Sequence, residues 1–355
     1  MKRGHFNCAR RDEKGDGLLK RYLLLSILVF ALLLLLPLPA LGIFGGDKPP
    51  VKSPESKSPS SPGSSSASSS SPEEATFKVL NTKSGEVLTF TEREFLIGTV
   101  ASEMYPTYHI EAMKAQAVAS YTYYSVKRDR ERQTPDPEMK GADFSDVPST
   151  FPETYTEADL KERWGNNFET YYKKVTEAVD AVLGKKLTYD GAPIVAAYHA
   201  ISFGTTEDAE NVWGSPYPYL KSVPSPGDKL SPDYESNVSF KPEELTDALK
   251  TKYASLKPEG DAKDWISGEP KRSEAGTVLT LTICGAECSG KDIRTALGLR
   301  SANFTVTYSD GLFRFKVLGY GHGVGMSQYG ADYMARQGSG WEEILRAYYT
   351  DITIE

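Results

Sequence analysis

The sequence predicts an α+β fold for most of its 355 residues, behind one apolar N-terminal segment. Helix-like and strand-like segments alternate from residue 76 onward, without the regular strand–helix–strand order of parallel sheets. Glycine-containing turns at residues 83–85 and 190–191 separate strand-like runs, which favours antiparallel hairpins. We therefore expect mixed helices and antiparallel strands over residues 76–355.

The charge of the chain is distributed unevenly. The chain carries 41 basic and 48 acidic residues, a formal net charge of −7. Residues 1–21 hold seven basic and three acidic residues, a local charge of +4, which leaves −11 for the remainder. An acidic body lacks the basic face that nucleic-acid binding requires, so we expect no nucleic-acid partner. A hydrophobic content of 39% excludes a fully disordered chain and a multi-span membrane protein.

Residues 22–44 contain no charged side chain and follow the basic tail of residues 1–21. About 20 apolar residues cross a bilayer core, and basic residues before such a run place the N-terminus in the cytoplasm. The pattern predicts a single-pass cell-membrane anchor with an extracytoplasmic C-terminal region. A cleaved signal peptide stays open as the alternative, with Ala40 and Gly42 near the cleavage point, although its apolar core would be long.

The segment after the anchor, residues 45–75, is dominated by Ser and Pro. Such a composition buries too little apolar surface to fold, so it predicts a disordered linker. The folded region should then span residues 76–355.

The chain has three cysteines, of which Cys8 lies in the predicted cytoplasmic tail. Cys284 and Cys288 lie in the predicted extracytoplasmic region, with three residues between them. Two thiols do not complete a structural zinc site, which needs four ligands. An extracytoplasmic compartment permits disulfides, so the sequence favours a small disulfide between them over a metal site.

The folded region begins with a hairpin and two helices. Phe77–Val79 and Val87–Phe90 are strand-like runs on either side of the first turn. Thr91–Glu94 has the pattern of a capping box and opens a helix that Pro106 ends. The segment Ile110–Arg130 is rich in good helix formers, and its many alanines permit close packing, so we expect a buried central helix.

The later segments continue the alternation. Residues 133–152 are rich in Pro and Asp and predict a surface excursion, and residues 201–240 look loop-rich. A hairpin is expected over Leu187–His199. We expect further helices near Glu157–Trp164, Phe168–Leu183, Leu245–Tyr253, Ser327–Gln337 and Trp341–Tyr349, and strands near Val278–Ile283, Phe304–Tyr308 and Leu312–Leu318.

Glycine occupies alternate positions in the segment Gly319–Gly330, GYGHGVGMSQYG. Glycines let a backbone adopt unusual φ values and approach other groups closely. Neither the dinucleotide-binding fingerprint nor the P-loop pattern fits this run. It predicts either a strand–loop–helix junction that presents His322 or a tight structural turn in which His322 simply packs.

Glu103 is the one charged side chain between Glu94 and Glu111. A carboxyl group in apolar surroundings has a raised pKa and holds its proton near neutral pH, as a general acid for glycosidic cleavage must. The alternative is an exposed glutamate at a helix end. Glu111 competes for the role, but its place in the first turn of the next helix is already explained by the helix dipole.

A third segment, Ala197–Asp208, is followed by Trp213 and by Tyr219–Lys221. Loops rich in aromatic and hydroxyl side chains stack on sugars and hydrogen-bond to them. Equally, Trp213 and Tyr219 are able to pack within the protein, and the sequence leaves both interpretations open. The histidines are too scattered for a recognisable metal-binding motif.

Taken together, these segments resemble the stage II sporulation protein D family, also called the SpoIID/LytB domain family. The strongest match is Gly319–Ala331 (GYGHGVGMSQYGA), followed by Val100–Ala119 (VASEMYPTYHIEAMKAQAVA). The loop from His199 to Lys221 and the stretch Ile293–Phe304 (IRTALGLRSANF) match more weakly. The four motifs occur in the family's order and together span about residues 76–355.

The resemblance implies a membrane-anchored lytic transglycosylase that cleaves peptidoglycan during engulfment in sporulation. Such an enzyme cuts MurNAc–GlcNAc glycan strands and leaves 1,6-anhydroMurNAc ends. Most glycosidases need two carboxylates, but here the sugar's own C6 hydroxyl is the nucleophile, so one glutamate serves as acid and then as base. The family pattern places that role on Glu103.

The resemblance also implies a set of substrate-binding residues and a partner. Tyr121 stands where the family often has arginine, and Phe203 replaces a glycine of the family pattern. The implied partner is a sporulation amidase, stage II sporulation protein P, which would remove stem peptides, and no metal or other cofactor is implied. The alternative is a noncatalytic glycan-binding enhancer of a cell-wall amidase. The implied substrate-binding residues are Gln116, Tyr121, His199, Tyr219, Lys221, His322, Ser327 and Gln328.

Overall fold

A computed structural model describes residues 76–146 and 155–355. These residues form a mixed α+β fold with mainly antiparallel strands, as predicted. The predicted cytoplasmic tail, anchor and linker at residues 1–21, 22–44 and 45–75 lie outside the described residues. Within the two described ranges, no helix has both the length and the apolar character that a membrane span needs.

The helices and strands of the described residues follow in chain order. The α-helices are α1 Glu92–Glu103, α2 Ile110–Gln133, α3 Glu157–Trp164, α4 Phe168–Asp180, α5 Ala209–Trp213, α6 Pro242–Lys250, α7 Gly290–Leu297, α8 Gln328–Arg336 and α9 Trp341–Tyr348. The strands are β1 Thr76–Leu80, β2 Val87–Thr91, β3 Phe144–Ser145, β4 Leu187–Tyr189, β5 Ala192–Pro193, β6 Tyr198–His199, β7 Glu235–Phe240, β8 Ile266–Arg272, β9 Val278–Ile283, β10 Ala286–Ser289, β11 Phe304–Ser309, β12 Leu312–Leu318, β13 Met326–Ser327 and β14 Thr353–Ile354.

The first hairpin forms where the sequence predicts it. β1 and β2 pair antiparallel, with Thr76 opposite Thr91. The predicted surface excursion at residues 133–152 is wrong in part, because it contains β3, which pairs parallel to β1. Phe144 in β3 is buried against Phe77 and Phe95. Burial of this aromatic side chain stabilises the fold and anchors the excursion.

The 24-residue helix α2 is central, as predicted, and packs against α1, α4, α8 and α9. Its alanines at positions 112, 115, 117 and 119 have no exposed surface. Small side chains let neighbouring helices approach closely, which is why one helix is able to contact four others. This arrangement brings the N-terminal motif and the C-terminal glycine-rich motif together.

A second core lies in residues 235–318. β7, β12 and β11 form one antiparallel sheet and β8, β9 and β10 form another, with α6 and α7 packed nearby. The strands β7 and β8 were not expected from the sequence. The side chains of β7 alternate between exposed and half-buried, and those of β8 are mainly exposed. Neither strand therefore shows a continuous apolar run. A hydrogen bond of 2.6 Å from Ser273 Oγ to the buried carboxylate of Glu207 links this part to the main core.

The predicted disulfide is wrong, because Cys284 and Cys288 are both free and buried. Cys284 lies in the turn between β9 and β10 with φ of +47°, while Cys288 lies on β10 opposite Leu281. The hairpin therefore places one thiol at its tip and the other along a strand. Cys288 Sγ donates to the Ala286 carbonyl oxygen at 3.6 Å.

Candidate active site

Glu103 is the last residue of α1 and is half-buried. The helix begins at the predicted capping box, in which Thr91 Oγ1 accepts from the Glu94 amide and the Glu94 carboxylate accepts from the Thr91 amide. The helix ends because Met104 adopts an extended conformation and Pro106 follows. Glu103 therefore lies in the gap between α1 and α2.

A closed ring of hydrogen bonds holds the Glu103 carboxylate. Gln328 Nε2 donates to Glu103 Oε2 at 3.0 Å and also contacts Gln116 Oε1 at 3.3 Å. Gln116 Nε2 donates to Ser120 Oγ at 3.0 Å, and Ser120 Oγ donates to the Tyr198 hydroxyl at 3.5 Å. The Tyr198 hydroxyl completes the ring with a long contact of 3.4 Å to Glu103 Oε1. Four elements, α1, α2, β6 and α8, thus fix one carboxylate.

Burial raises the pKa of Glu103 above the ordinary value for a glutamate, while the hydrogen bonds from Gln328 and Tyr198 oppose that shift. The net direction is upward, so the folded site favours the protonated acid over a wider pH range. A protonated carboxyl group is the form that is able to donate a proton to a substrate oxygen.

Two cavities meet at Glu103. One of about 460 Å³, here called the aromatic cavity, is lined by Glu103, Tyr123, Tyr124, Val195, Ala197, Tyr198, Trp213, Tyr217 and His322. The other, of about 620 Å³ and here called the polar cavity, includes Glu103, Tyr105, Tyr108, Arg163, Asp233, Arg300, Tyr320, Gln328 and Tyr329 in its lining. Among these described lining residues the carboxylates are Glu103 and Asp233, and Asp233 pairs with Arg300 at 3.1 Å. Glu103 is therefore the carboxylate without a cationic partner, and it lies where an extended ligand would pass from one cavity to the other.

The glycine-rich segment forms the predicted strand–loop–helix junction between β12 and α8. A side chain at Gly325, where φ is +72°, would overlap the Ala197 carbonyl oxygen. A side chain at Gly321, where φ is +118°, would lie 2.8 Å from His199 Cβ. Glycine is required at both positions because the loop passes directly over β6. This close approach brings His322 to the aromatic cavity and Gln328 to Glu103.

His199 and His322 lie beside each other, with ring centroids 5.8 Å apart. Burial lowers the pKa of His199 to about 4. Burial, together with the nearby charges of His199 and Arg294, lowers the pKa of His322 to about 3. Both imidazoles are therefore neutral near pH 7, when they act as hydrogen-bonding groups and not as cations. His199 Nδ1 contacts the Val324 carbonyl oxygen at 3.1 Å, and its Nε2 is buried without a hydrogen-bond partner.

The structure separates the predicted site residues into two groups. Gln116 and Gln328 lie in the ring around Glu103, and His322 lines the aromatic cavity with His199 behind it. The other four make contacts within the fold.

Of those four, the Tyr219 hydroxyl accepts from the Val195 amide at 3.1 Å, and Lys221 pairs with Asp208 at 3.0 Å. Ser327 caps α8, is fully buried and donates to Asp228 at 2.6 Å. Their roles in substrate binding stay predictions.

Tyr121 lies outside the lining of both cavities. Its hydroxyl donates to Glu92 at 2.7 Å, and Glu92 in turn accepts from Arg128 at 3.0 Å. The departure from arginine at this position therefore changes a buried network behind α2 and leaves the surroundings of Glu103 intact. Phe203, the other departure, packs beneath the glycine-rich loop beside Gly319 and Gly323.

Two members of the ring, Ser120 and Tyr198, were not predicted from the sequence. Ser120 lies one helical turn after Gln116, which places both on one face of α2. Tyr198 immediately precedes His199, and in β6 neighbouring side chains point to opposite faces. The sequence signals available were the four-residue spacing on α2 and the position next to His199 on β6. Neither identifies a partner of Glu103 unless the position of Glu103 in space is known.

The fold and site thus define an α+β protein with one cation-free carboxylate set between two cavities. A family model described as "Stage II sporulation protein" matches residues 81–189. The chain is 39% identical over 271 residues to stage II sporulation protein D of Bacillus subtilis (strain 168), covering 76% of each chain. It is 38% identical over 276 residues to the protein of the same name from Bacillus amyloliquefaciens, covering 78% of this chain and 77% of that protein. The chain therefore belongs to the stage II sporulation protein D family.

A more distant relative carries a different name. The chain is 27% identical over 310 residues to the amidase enhancer of Bacillus subtilis (strain 168). The match covers 73% of this chain and 40% of that protein.

Proposed function

We propose that this chain is a peptidoglycan lytic transglycosylase that acts in engulfment during sporulation. The carrying observation is the Glu103 carboxylate, which has a raised pKa, has no cationic partner and lies at the meeting point of two cavities. Family membership supports a role in sporulation, since the relatives carry that name.

The reaction needs one acid and one internal nucleophile. Protonated Glu103 donates its proton to the glycosidic oxygen between MurNAc and GlcNAc, and the bond from that oxygen to C1 breaks. The C6 hydroxyl of the same MurNAc forms the new bond to C1 and gives its proton to the Glu103 carboxylate. The product is a 1,6-anhydroMurNAc end, and the acid is regenerated without water. Gln328 and Tyr198 stabilise the carboxylate form that exists between the two proton transfers.

The two cavities suit a polymeric substrate on both sides of the acid. Aromatic rings stack on sugar faces, and the aromatic cavity offers Tyr123, Tyr217 and Trp213, of which Trp213 is 37% exposed. The polar cavity offers Tyr105 and Tyr320, which are 64% and 48% exposed. Large exposed aromatic groups of this kind mark binding surfaces.

The test is product analysis with purified full-length protein and peptide-free glycan strands. Glu103→Gln is expected to abolish 1,6-anhydro ends detected by mass spectrometry, while its melting temperature stays close to that of the wild type. Glu111→Gln is the matched control, because Glu111 is a nearby half-buried carboxylate already bound to Lys114 and the Trp341 amide. Unchanged product yield in the Glu103 variant would remove Glu103 from the role.

A second candidate is a noncatalytic glycan-binding enhancer of a cell-wall amidase, favoured by the likeness to the amidase enhancer. In that case the wild-type protein would bind strands, form no anhydro ends and accelerate a separate amidase. Turnover by the purified protein alone would refute it. The Tyr121 departure gives it no support, since Tyr121 bonds to Glu92 away from the cavities.

The location and partner belong to the same proposal. We propose a single-pass protein of the cell membrane, with residues 22–44 as anchor, residues 45–75 as linker and the described residues outside the cytoplasm. Its partner would be stage II sporulation protein P, an amidase that strips stem peptides from the strands before they are cut.

A further inference from the structure

A third cavity, here called the basic pocket, adjoins the aromatic cavity at His322, which lines both. Its volume is about 230 Å³, and its lining includes Thr277, Ser289, Lys291, Arg294 and His322. The pocket thus joins the second core to the cleft. Its two basic side chains are set beside the cavity that we assign to a sugar.

Neither basic side chain has an acidic partner among the described residues. The hydrogen bond shown for the Arg294 guanidinium is a long one of 3.4 Å to the Leu299 carbonyl oxygen. The nearest acidic residue in sequence, Asp292, is already bound to Tyr253 at 2.7 Å and to Lys252 at 3.4 Å. By contrast, Arg300 in the same motif has a carboxylate partner. A half-buried guanidinium without an anion has an unmet preference for one.

A second observation in the pocket also indicates a missing ligand. Thr277 lines the pocket, and its Oγ1 is buried without a hydrogen-bond partner. An unpaired buried hydroxyl destabilises the fold, and a ligand oxygen would relieve that penalty. The pocket therefore combines positive charge with an unused hydroxyl, the combination that an oxyanion binds.

The charge of Arg294 also reaches the cleft. Together with burial, which is the larger cause, it lowers the pKa of both His199 and His322. Because both imidazoles are neutral at pH 7, the positive charge on this side of the aromatic cavity comes from the basic pocket.

We propose that the basic pocket binds a carboxylate of the substrate glycan, namely the lactyl carboxylate of a muramic acid residue whose stem peptide has been removed. This inference rests on the proposed function, since it assigns a part of the same substrate. In peptide-bearing strands the lactyl carbonyl is a neutral amide, and an amidase converts it into a free carboxylate. Arginine binds carboxylates through two parallel N–H donors, a geometry that an amide does not match. Arg294 would thus make the cleft prefer peptide-free strands.

The test compares the binding of two glycans that differ in this one group. Full-length protein carrying Glu103→Gln, which leaves strands uncut, is titrated with peptide-free strands and with the same strands converted to lactyl methylamides. We expect about tenfold tighter binding of the carboxylate strands, corresponding to about 1.4 kcal/mol. Adding Arg294→Gln should remove that difference, and adding Arg294→Lys should keep part of it. Arg314→Gln is the matched control, because it removes the same charge from an exposed pair with Asp310 in a nearby hairpin and should change neither affinity.

Several results would overturn the assignment. One is equal affinity of the Glu103→Gln protein for the carboxylate strands and the methylamide strands. Another is an equal loss of affinity for both kinds of strand when Arg294→Gln is added. A third is that neither kind of strand binds. Inorganic phosphate is added as a competitor. If phosphate displaces the carboxylate strands and the methylamide strands equally, the pocket would be assigned to a free anion instead. Because binding is measured without turnover, a wild-type protein that fails to cut glycan refutes the proposed function separately.

Discussion

Replacing Gln328 with leucine should move the pH dependence of the proposed reaction toward higher pH. Gln328 Nε2 donates to Glu103 Oε2 at 3.0 Å, and this bond favours the ionised carboxylate. A hydrogen bond to a charged group contributes about 1.5–3 kcal/mol. One pKa unit corresponds to about 1.4 kcal/mol, so losing the bond should raise the pKa of Glu103 by about one unit or more.

The sign follows from the role of the acid. Glu103 must be protonated to donate, so activity falls as pH rises through its pKa, which burial has already raised. Gln328→Leu removes an interaction that opposes that shift, and the alkaline limb of kcat/KM should move up by about one pH unit. The measurement is the rate of 1,6-anhydro end formation between about pH 5 and pH 9.

The same substitution has a second effect that serves as an internal check. Gln116 Oε1 loses the donor 3.3 Å away, and a buried acceptor left unpaired costs about 1–3 kcal/mol of unfolding free energy. Gln337→Leu is the matched control, since Gln337 is exposed at the end of the same helix. An alkaline limb that stays in place or moves to lower pH, in a variant that folds, would refute the assignment of Glu103 as the acid.

Three further predictions concern stability and thiol chemistry. The pKa of His199 is lowered to about 4, so the stability it contributes is present above its unfolded pKa of about 6.5 and is lost as pH falls toward 4. In urea unfolding, the free energy of unfolding of the His199→Gln protein should therefore fall by on the order of 3 kcal/mol less than that of the wild type over this pH range. Gly325→Ala should destabilise by about 2 kcal/mol or more relative to Gly338→Ala, which has a positive φ but open space, and equal unfolding midpoints would contradict the close approach. Iodoacetamide should label Cys284 and Cys288 only after unfolding, without any reductant, because both thiols are buried and burial raises their pKa; a mass that lacks both adducts would instead show a disulfide.

Local patterns predicted most of the main core correctly. The capping box at Thr91 and the alanine spacing of α2 each act within one or two helical turns, so the sequence alone is enough to recognise them. The strands β7 and β8 were not predicted because their pairing with β12 and β9 decides them, and long-range pairing overrides weak local propensity. Phe144 was placed on the surface for a similar reason, since its neighbours are Pro and Asp while its own contacts come from β1 and α1.

The candidate site was predictable in part. Glu103 stood out because no other charge occurs near it in sequence, and resemblance added Gln116 and Gln328. Ser120 and Tyr198 became visible only when α2 and β6 were placed in space. The side chain of Ser327 caps α8 and donates to Asp228. A sequence motif does not distinguish such contacts within the fold from contacts with a substrate.

The hydrogen-bonded ring that sets the pKa of Glu103 is completed only late in chain synthesis. Gln328 is 225 residues downstream of Glu103, so at about 5–20 residues per second its arrival takes roughly 10 to 45 s. Until then Glu103 lacks both the partner and the surroundings that set its proton affinity. A chain that stops before α8 should accordingly contain the proposed acid without the hydrogen bond from Gln328 that opposes the rise in its pKa.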